Sequence, residues 1–345
     1  MRYARVQIDG VTLEPEVRVG VVTLDPADGA PVRETPADVV AHACGGTESV
    51  RLFPAGTDLL TVATAREVPA DDAPVVPLAE ARLLAPVTPA SFRDFVAFEK
   101  HVQGAVAMTA DPAVALAAWA QQPTYLYGSP HAVVGPDEPV AAPPGSQALD
   151  FELEIGVVIG RDGRDLTPEE ARDHIAGYLV VNDWSARDIQ RHEMKSGLGP
   201  AKAKDFATTI GPWLVTPDEL ESARLGDRLD LRMSVAVNGV EFGADSAAHM
   251  GWSFEELVSF ASRGAWLRAG DLLGSGTCSG GSLAEAWGRA GKQEPQPLQP
   301  GDVVTMTVDR LGSIANPVVA AGPERSPIRP ARPLAELEAA TGMRA

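Results

Sequence analysis

A β-rich α+β fold is predicted for this chain by three observations. Segments with apolar residues at every second position recur along its length, short helical patterns with recognisable caps fall between them, and Gly, Pro and Asp turns mark the junctions. At 345 residues the chain exceeds the size at which one hydrophobic core usually keeps growing, so two units are expected. We expect a small β-rich, β-barrel-like domain over residues 1–85, a larger domain over 86–325, and a tail over 326–345. The hydrophobic content of 45% and charged content of 22% are ordinary for a folded domain.

Charge and composition narrow the function classes. The net charge of -18 argues against a nucleic-acid partner, which would need clustered Lys and Arg, and suits recruitment of a divalent cation. Cys44 and Cys278 match no zinc or redox spacing, which points to a reducing compartment. The opening MRYARVQIDG lacks an apolar signal core, and no apolar run reaches the length of a membrane span. A cytoplasmic protein without membrane association is expected.

Taken in order, Tyr3 to Ile8, Val17 to Leu24 and Asp58 to Ala63 read as short strands, and Pro36 to Ala43 as a short helix capped by Thr35. Two prolines in Arg82 to Pro89 interrupt any regular element. Ser91 is read as the cap of a helix with Phe92, Phe95, Val96, Phe98 and Val102 on its apolar face, which sets Asp94 and His101 on one side of it. Trp119 to Gly128 reads as a helix end entering a loop that holds Tyr125 and Tyr127, two candidates for ligand contact. Thr167-Pro168-Glu169-Glu170 has the form of a capping box before a helix ending at Ile175. Arg232 to Val237 and Val303 to Val308 alternate as strands, Asn238-Gly239 signals a hairpin, Ser253 caps a helix from Phe254 to Ala261, and Leu334 to Ala340 is a short terminal helix.

The stretch around which the rest is organised is Leu149 to Gly160. Phe151, Leu153, Ile155, Val157 and Ile159 alternate as one apolar face, so Glu152 and Glu154 project together from the other face of a half-buried strand, with open room beside Gly156. Positions two apart on a strand lie roughly 7 Å from each other, close enough for both carboxylates to reach one ion. Asp183, at the end of the apolar strand Tyr178 to Val181, adds a third carboxylate, the oxygen donor set that Mg2+ or Ca2+ requires.

These residues fall in five ordered blocks: FELEIGVVIG, GYLVVNDWSARDIQ, KDFATTIGPWLVTPDEL, GSGTCSGGSLAEAW and PGDVVTMTVDRLGSIANPV. With them the chain resembles the fumarylacetoacetate hydrolase family, in its larger fumarylacetoacetase-like branch, over roughly Ser91 to Val318. The resemblance implies a mixed β-roll catalytic domain, a usual homodimer, and a divalent cation (Mg2+ or Ca2+, with Mn2+ as a further candidate). It makes Asp94, Glu152, Glu154 and Asp183 metal ligands, with Lys204, Ala207 and Thr208 beside them. His101 becomes the water-activating base, Glu285 its orienting carboxylate, Arg187, Gln190 and Lys204 the oxyanion donors, and Thr277 a contact for a substrate carboxylate.

The reaction so implied is hydrolysis of a carbon–carbon bond in a β-diketo acid of the fumarylacetoacetate or acylpyruvate kind. Two alternatives stand beside it: a 2-oxo acid decarboxylase, tautomerase or hydratase on the same metal, and a catalytically silent small-molecule binder. Where the branch carries an arginine and a tyrosine for the distal carboxylate, this chain has Ala110 and Met194. A substrate arm less acidic or more apolar than fumarate is therefore expected.

Overall fold

The computed structural model describes residues 1–8, 16–23, 49–106, 111–323, 325 and 329–341. One large sheet organises them, and the strands of it that bear on the site are, in chain order, β1 (Arg2–Ile8), β2 (Phe92–Phe95), β3 (Tyr125–Gly128), β4 (Leu153–Ile159), β5 (Ile175–Asp183), β6 (Thr208–Val215) and β7 (Leu272–Gly274). Three helices carry further site residues: α1 (Glu99–Val106), α2 (Arg187–Glu193) and α3 (Leu283–Ala290). Across the sheet these strands lie in the order β1-β6-β5-β4-β7-β2-β3, antiparallel at every pair except β7 and β2. The strands Glu16–Thr23, Ser49–Leu52 and Val75–Pro77 continue the sheet beyond β1, so the N-terminal residues join it through the pairing of Tyr3 with Leu214. A second sheet is built from Val240–Ser246, Arg232–Val237, Val303–Val308, Gly312–Val319 and Val140–Ala141. The described residues thus form a sheet-rich mixed fold in which no barrel closes.

Strand β4 explains the layering. Ile155, Val157 and Ile159 join Met233, Val235, Met306 and Ile314 of the second sheet in one cluster. On the opposite face Val158 meets Leu179, Val181, Ile210, Leu214 and Leu272, closed over by Leu59 and Val62. A strand covered on both faces reads as nearly continuous hydrophobic sequence, which is why VVI follows the glutamates. Each such side chain, fully buried, stabilises by about 1.5–3 kcal/mol relative to exposure. The expected half-buried strand with an open glutamate face is corrected accordingly: all seven residues of β4 are buried. No open room lies beside Gly156 either, since a Cβ there would come within 2.7 Å of Val181 Cγ2.

Local signals located other elements. The capping box forms at Thr167 with Glu170, Ser253 caps its helix and also closes a box with Glu256, and the Asn238-Gly239 turn joins two strands with Asn238 at φ 53° and Gly239 at φ 76°. Four expectations are corrected. Ser91 caps no helix, because Phe92–Phe95 is a strand held by β7 and β3, and the helix that bears His101 begins at Glu99. The stretch from Asp58 is helix Leu59–Ala65, since the Asp58 side chain accepts from Thr61 N and caps it. Tyr125 and Tyr127 stand on strand β3 rather than in a loop. The helix after Thr167 stops at Arg172, and Ile175 already belongs to β5. The expected Thr35-capped helix, Cys44 and Ala110 lie outside the described residues. Among those described, no helix is long and apolar enough to cross a membrane.

Candidate active site

The ends of five adjacent strands present one row of side chains on one face of the sheet. Register fixes it: Asp183 of β5 pairs with Thr208 of β6, Glu154 of β4 with Val181 of β5, and Gly274 of β7 with Asp94 of β2. Asp94, Glu152, Glu154 and Asp183 each offer a carboxylate oxygen, and these oxygens lie within 4.8 Å of one another, all four side chains being buried. Gly274 makes the gathering sterically feasible. A Cβ at that position would sit 2.6 Å from Asp94 Oδ1 and 2.7 Å from Glu154 Oε2.

So many carboxylates in a dry place are costly unless compensated. Burial, and then the charge of Asp183, push the Asp94 carboxyl well above its ordinary value; burial and then Asp94 do the same to Glu154. Burial raises Asp183 as well, against the pull of Lys204. Asp94 Oδ1, Asp183 Oδ1 and Thr208 Oγ1 are buried without a hydrogen-bond partner. Orphaned oxygens at this density are what a hard divalent cation would satisfy, so the residues fit one. The all-oxygen donor set suits Mg2+, Ca2+ or Mn2+ rather than a thiolate-seeking metal.

Glu152 is the exception among the four. Burial would raise it, yet Lys204, Arg187 and then His101 outweigh that and hold it far below the carboxylate range. Lys204 Nζ donates to Glu152 and, at 2.5 Å, to Asp183 Oδ2. Burial pushes the Lys204 ammonium down, but Asp183 and Glu152 more than reverse this. Arg187 opens α2 with three bonds: Nε to Asp150 Oδ2 at 2.7 Å, one terminal nitrogen to Glu152 Oε1 at 2.6 Å, the other to Gln190 Oε1 at 2.8 Å. Both acids of α2 hold neighbouring loops. Asp188 accepts from Ser146 Oγ and Gln147 N rather than pairing with Arg187, and Glu193 accepts from Ala201, Lys202 and Ala203 N, fixing the approach to Lys204.

His101, on α1, lies with its Nδ1 3.5 Å from Glu285 Oε2 on α3. The two helices approach this closely because Gly104 and Gly288 face each other without side chains; a Cβ on Gly104 would reach within 2.5 Å of Glu285 Cγ. Glu285 is 0% exposed and is further held by Gly280 N at 2.7 Å and by Arg289 one turn on. Ser282 caps α3 through Glu285 N.

A family model described as fumarylacetoacetate (FAA) hydrolase C-terminal matches residues 90–319. The chain belongs to the fumarylacetoacetate hydrolase family. Its relatives include the mitochondrial oxaloacetate tautomerase of Xenopus laevis, 35% identical over 54% of this chain and 55% of that protein, and an oxaloacetate tautomerase of Bacillus subtilis, 34% identical over 49% and 52%. The fumarylacetoacetase of Dictyostelium discoideum is 29% identical over 65% of this chain and 66% of its own. The chain thus spans about half the length of the two tautomerases. Among solved structures, a fumarylacetoacetate hydrolase from Exiguobacterium antarcticum superposes with a TM-score of 0.63 at 27% identity, covering 93% of this chain and 99% of that one.

Not every residue expected at this site is found with the carboxylates. Tyr125 and Tyr127 pair with Phe95 and Arg93, the residues flanking Asp94, so their rings are on the other face of the sheet. There Tyr125 packs edge-on to Phe95 at 5.0 Å, and Arg93 lies over Tyr127 at 5.7 Å. This corrects the expectation that they meet the ligand, because strand alternation separates them from Asp94. Thr277 is buried with its hydroxyl 3.5 Å from Glu154 Oε1. Ala207 is buried beside Thr208, Met194 is exposed, and Cys278 is a fully buried thiol raised by that burial. Two participants went unread in the sequence. Gly274 carries no side chain to signal a role, and Asp150 stands inside the glutamate strand motif, where its partners on α2 and α3 leave no local mark.

Proposed function

We propose that the protein is a divalent-metal-dependent hydrolase that cleaves a carbon–carbon bond in a β-diketo acid. The observation that carries this reading is the convergence of four buried carboxylates beside a His101–Glu285 pair. Asp94, Glu152, Glu154 and Asp183 would hold the cation, with Thr208 within the same row. When bound, it would supply a Lewis acid for the two substrate oxygens and for the negative charge left on the departing carbon.

The chain's own residues do the rest. Glu285 keeps the imidazole of His101 oriented, and His101 takes a proton from water as the oxygen adds to the acyl carbonyl carbon. Arg187, the amide nitrogen of Gln190 and Lys204 donate to the resulting oxyanion. Collapse of that oxyanion breaks the carbon–carbon bond; the electron pair leaves with the carbon, which recovers the proton from His101. One product is a carboxylic acid and the other a ketone. Thr277 would meet a substrate carboxylate, and the exposed apolar Met194 supports a distal arm less acidic than fumarate.

His101→Ala and Glu285→Gln are expected to lose about a hundredfold or more in cleavage, read as loss of diketone absorbance with Mg2+, while metal affinity stays within a few-fold. Cleavage at the wild-type rate by both variants would sink the reading.

A second reading, a 2-oxo acid tautomerase, is favoured by the names of the relatives from Xenopus and Bacillus. It needs the metal and the enolate but no attacking water. Oxaloacetate enol–keto conversion that persists in His101→Ala, with no diketone cleaved by the wild type, would select it.

A further inference from the structure

The reading above assigns no part to Asp150, yet this carboxylate is 0% exposed and accepts four hydrogen bonds. Its Oδ1 takes Phe151 N and Leu283 N, each at 2.8 Å; its Oδ2 takes Arg187 Nε at 2.7 Å and Ala284 N at 2.9 Å. Leu283 and Ala284 are the first two residues of α3, whose opening N–H groups have no partner within the helix. Ser282 satisfies only Glu285 N, so Asp150 supplies the remaining acceptors at a helix end that favours negative charge. The two-residue ladder of Leu149–Asp150 with Ser185–Ala186 brings the same carboxylate alongside Arg187.

We propose that Asp150 is a positioning residue that locks the Arg187 guanidinium and the N-terminus of α3 into one unit, so that the oxyanion donor and the Glu285 that orients His101 are set together. The geometry of the fork is the reason. Arg187 is pulled two ways, through Nε toward Asp150 and through a terminal nitrogen toward Glu152. Without the first pull, only Glu152 and Gln190 hold the guanidinium, and it is free to turn away from the oxyanion. Without the acceptors at Leu283 and Ala284, the first turn of α3 is free to rotate, and Glu285 is the next residue along.

The proposal rests on the C–C hydrolase reading, and the test separates the two. Wild-type protein is assayed first with a β-diketo acid and Mg2+; absence of cleavage counts against that reading, and Asp150 is then judged by hydrogen exchange alone. With wild-type cleavage in hand, Asp150→Asn is expected to lower kcat about thirtyfold while KM and Mg2+ affinity stay within about threefold, a split that general loosening of the fold would not give. In an Arg187→Gln background, Asp150→Asn should cost clearly less than alone, about fivefold, because only its hold on the N-terminus of α3 is then left to lose. A wild-type kcat in Asp150→Asn, or the same loss in both backgrounds, would overturn the proposal. Should Asp150→Asn not fold, Arg187→Gln decides by amide exchange: faster exchange at Leu283 and Ala284 by about tenfold or more supports the link, and unchanged exchange there refutes it.

Discussion

Two groups of buried charges meet at Glu152 and are built in opposite ways. Around Arg187, its three nitrogens find acceptors on Asp150, Glu152 and Gln190, and both oxygens of Asp150 are filled. Around Asp94, the Oδ1 atoms of Asp94 and Asp183 and the Thr208 hydroxyl are buried without a hydrogen-bond partner, although Lys204 fills Asp183 Oδ2. A satisfied polar network is rigid and serves as a frame, whereas an unsatisfied one at this depth holds binding free energy in reserve. The difference marks where the cation would go more sharply than the presence of acids does, since both groups are acidic.

Breaking the unsatisfied group should have the largest effect. Glu154→Gln removes one ligand and its charge, and Mg2+ affinity measured by calorimetry should fall on the order of a thousandfold, the equivalent of several kcal/mol. Gly274→Ala leaves every ligand in place but drives a methyl between Asp94 and Glu154, so a weakening of about ten- to a hundredfold is expected in the same measurement.

The metal-free protein should also show the strain of this group as a pH dependence. Asp94, Glu154 and Asp183 have carboxyls raised in the folded state, so the native chain binds more protons than the unfolded one above about pH 4, and their contribution to stability is lost as pH rises from there toward the folded values. Glu152 is lowered, so its opposite slope belongs to the acid end and fades above about pH 5.5. In EDTA, Tm should therefore fall between about pH 4 and pH 7, and Mg2+ should flatten the decline; equal slopes with and without metal would contradict the contrast drawn here. The smallest effect belongs to the other face of the sheet. Tyr127→Ala, with its ring 64% exposed and turned from Asp94, should change kcat/KM by less than about threefold.

Much of this was legible in the sequence where the signal is local. The capping box at Thr167, the cap at Ser253 and the Asn238-Gly239 turn each carry their own donors, acceptors or backbone preference, and each formed. The segment Phe92 to Phe95 misled because Phe92, Phe95, Val96 and Phe98 satisfy helical spacing, while its strand pairing depends on Leu272–Gly274, far away in the chain. Arg93 is tolerated buried within that strand because Asp271 meets it at 3.2 Å and Ser91 Oγ at 3.0 Å. Glu152, Glu154 and Asp183 were readable from their pattern, and Asp94 and Glu285 from the resemblance, but the pieces that let them coexist were not. Gly274 acts by what it lacks, and Asp150 by bonds to two helices that sequence order keeps apart.

The contact of Gly104 with Gly288 works as a spacer of zero thickness between the helices bearing the imidazole and its carboxylate. Reactivity at the far end of α1 is thereby hostage to two positions that would touch neither substrate nor ion. Variation tolerated elsewhere on these helices should be forbidden there, and a designer wishing to retune the proton-transfer pair could do so by adding a single methyl well outside the reaction chamber.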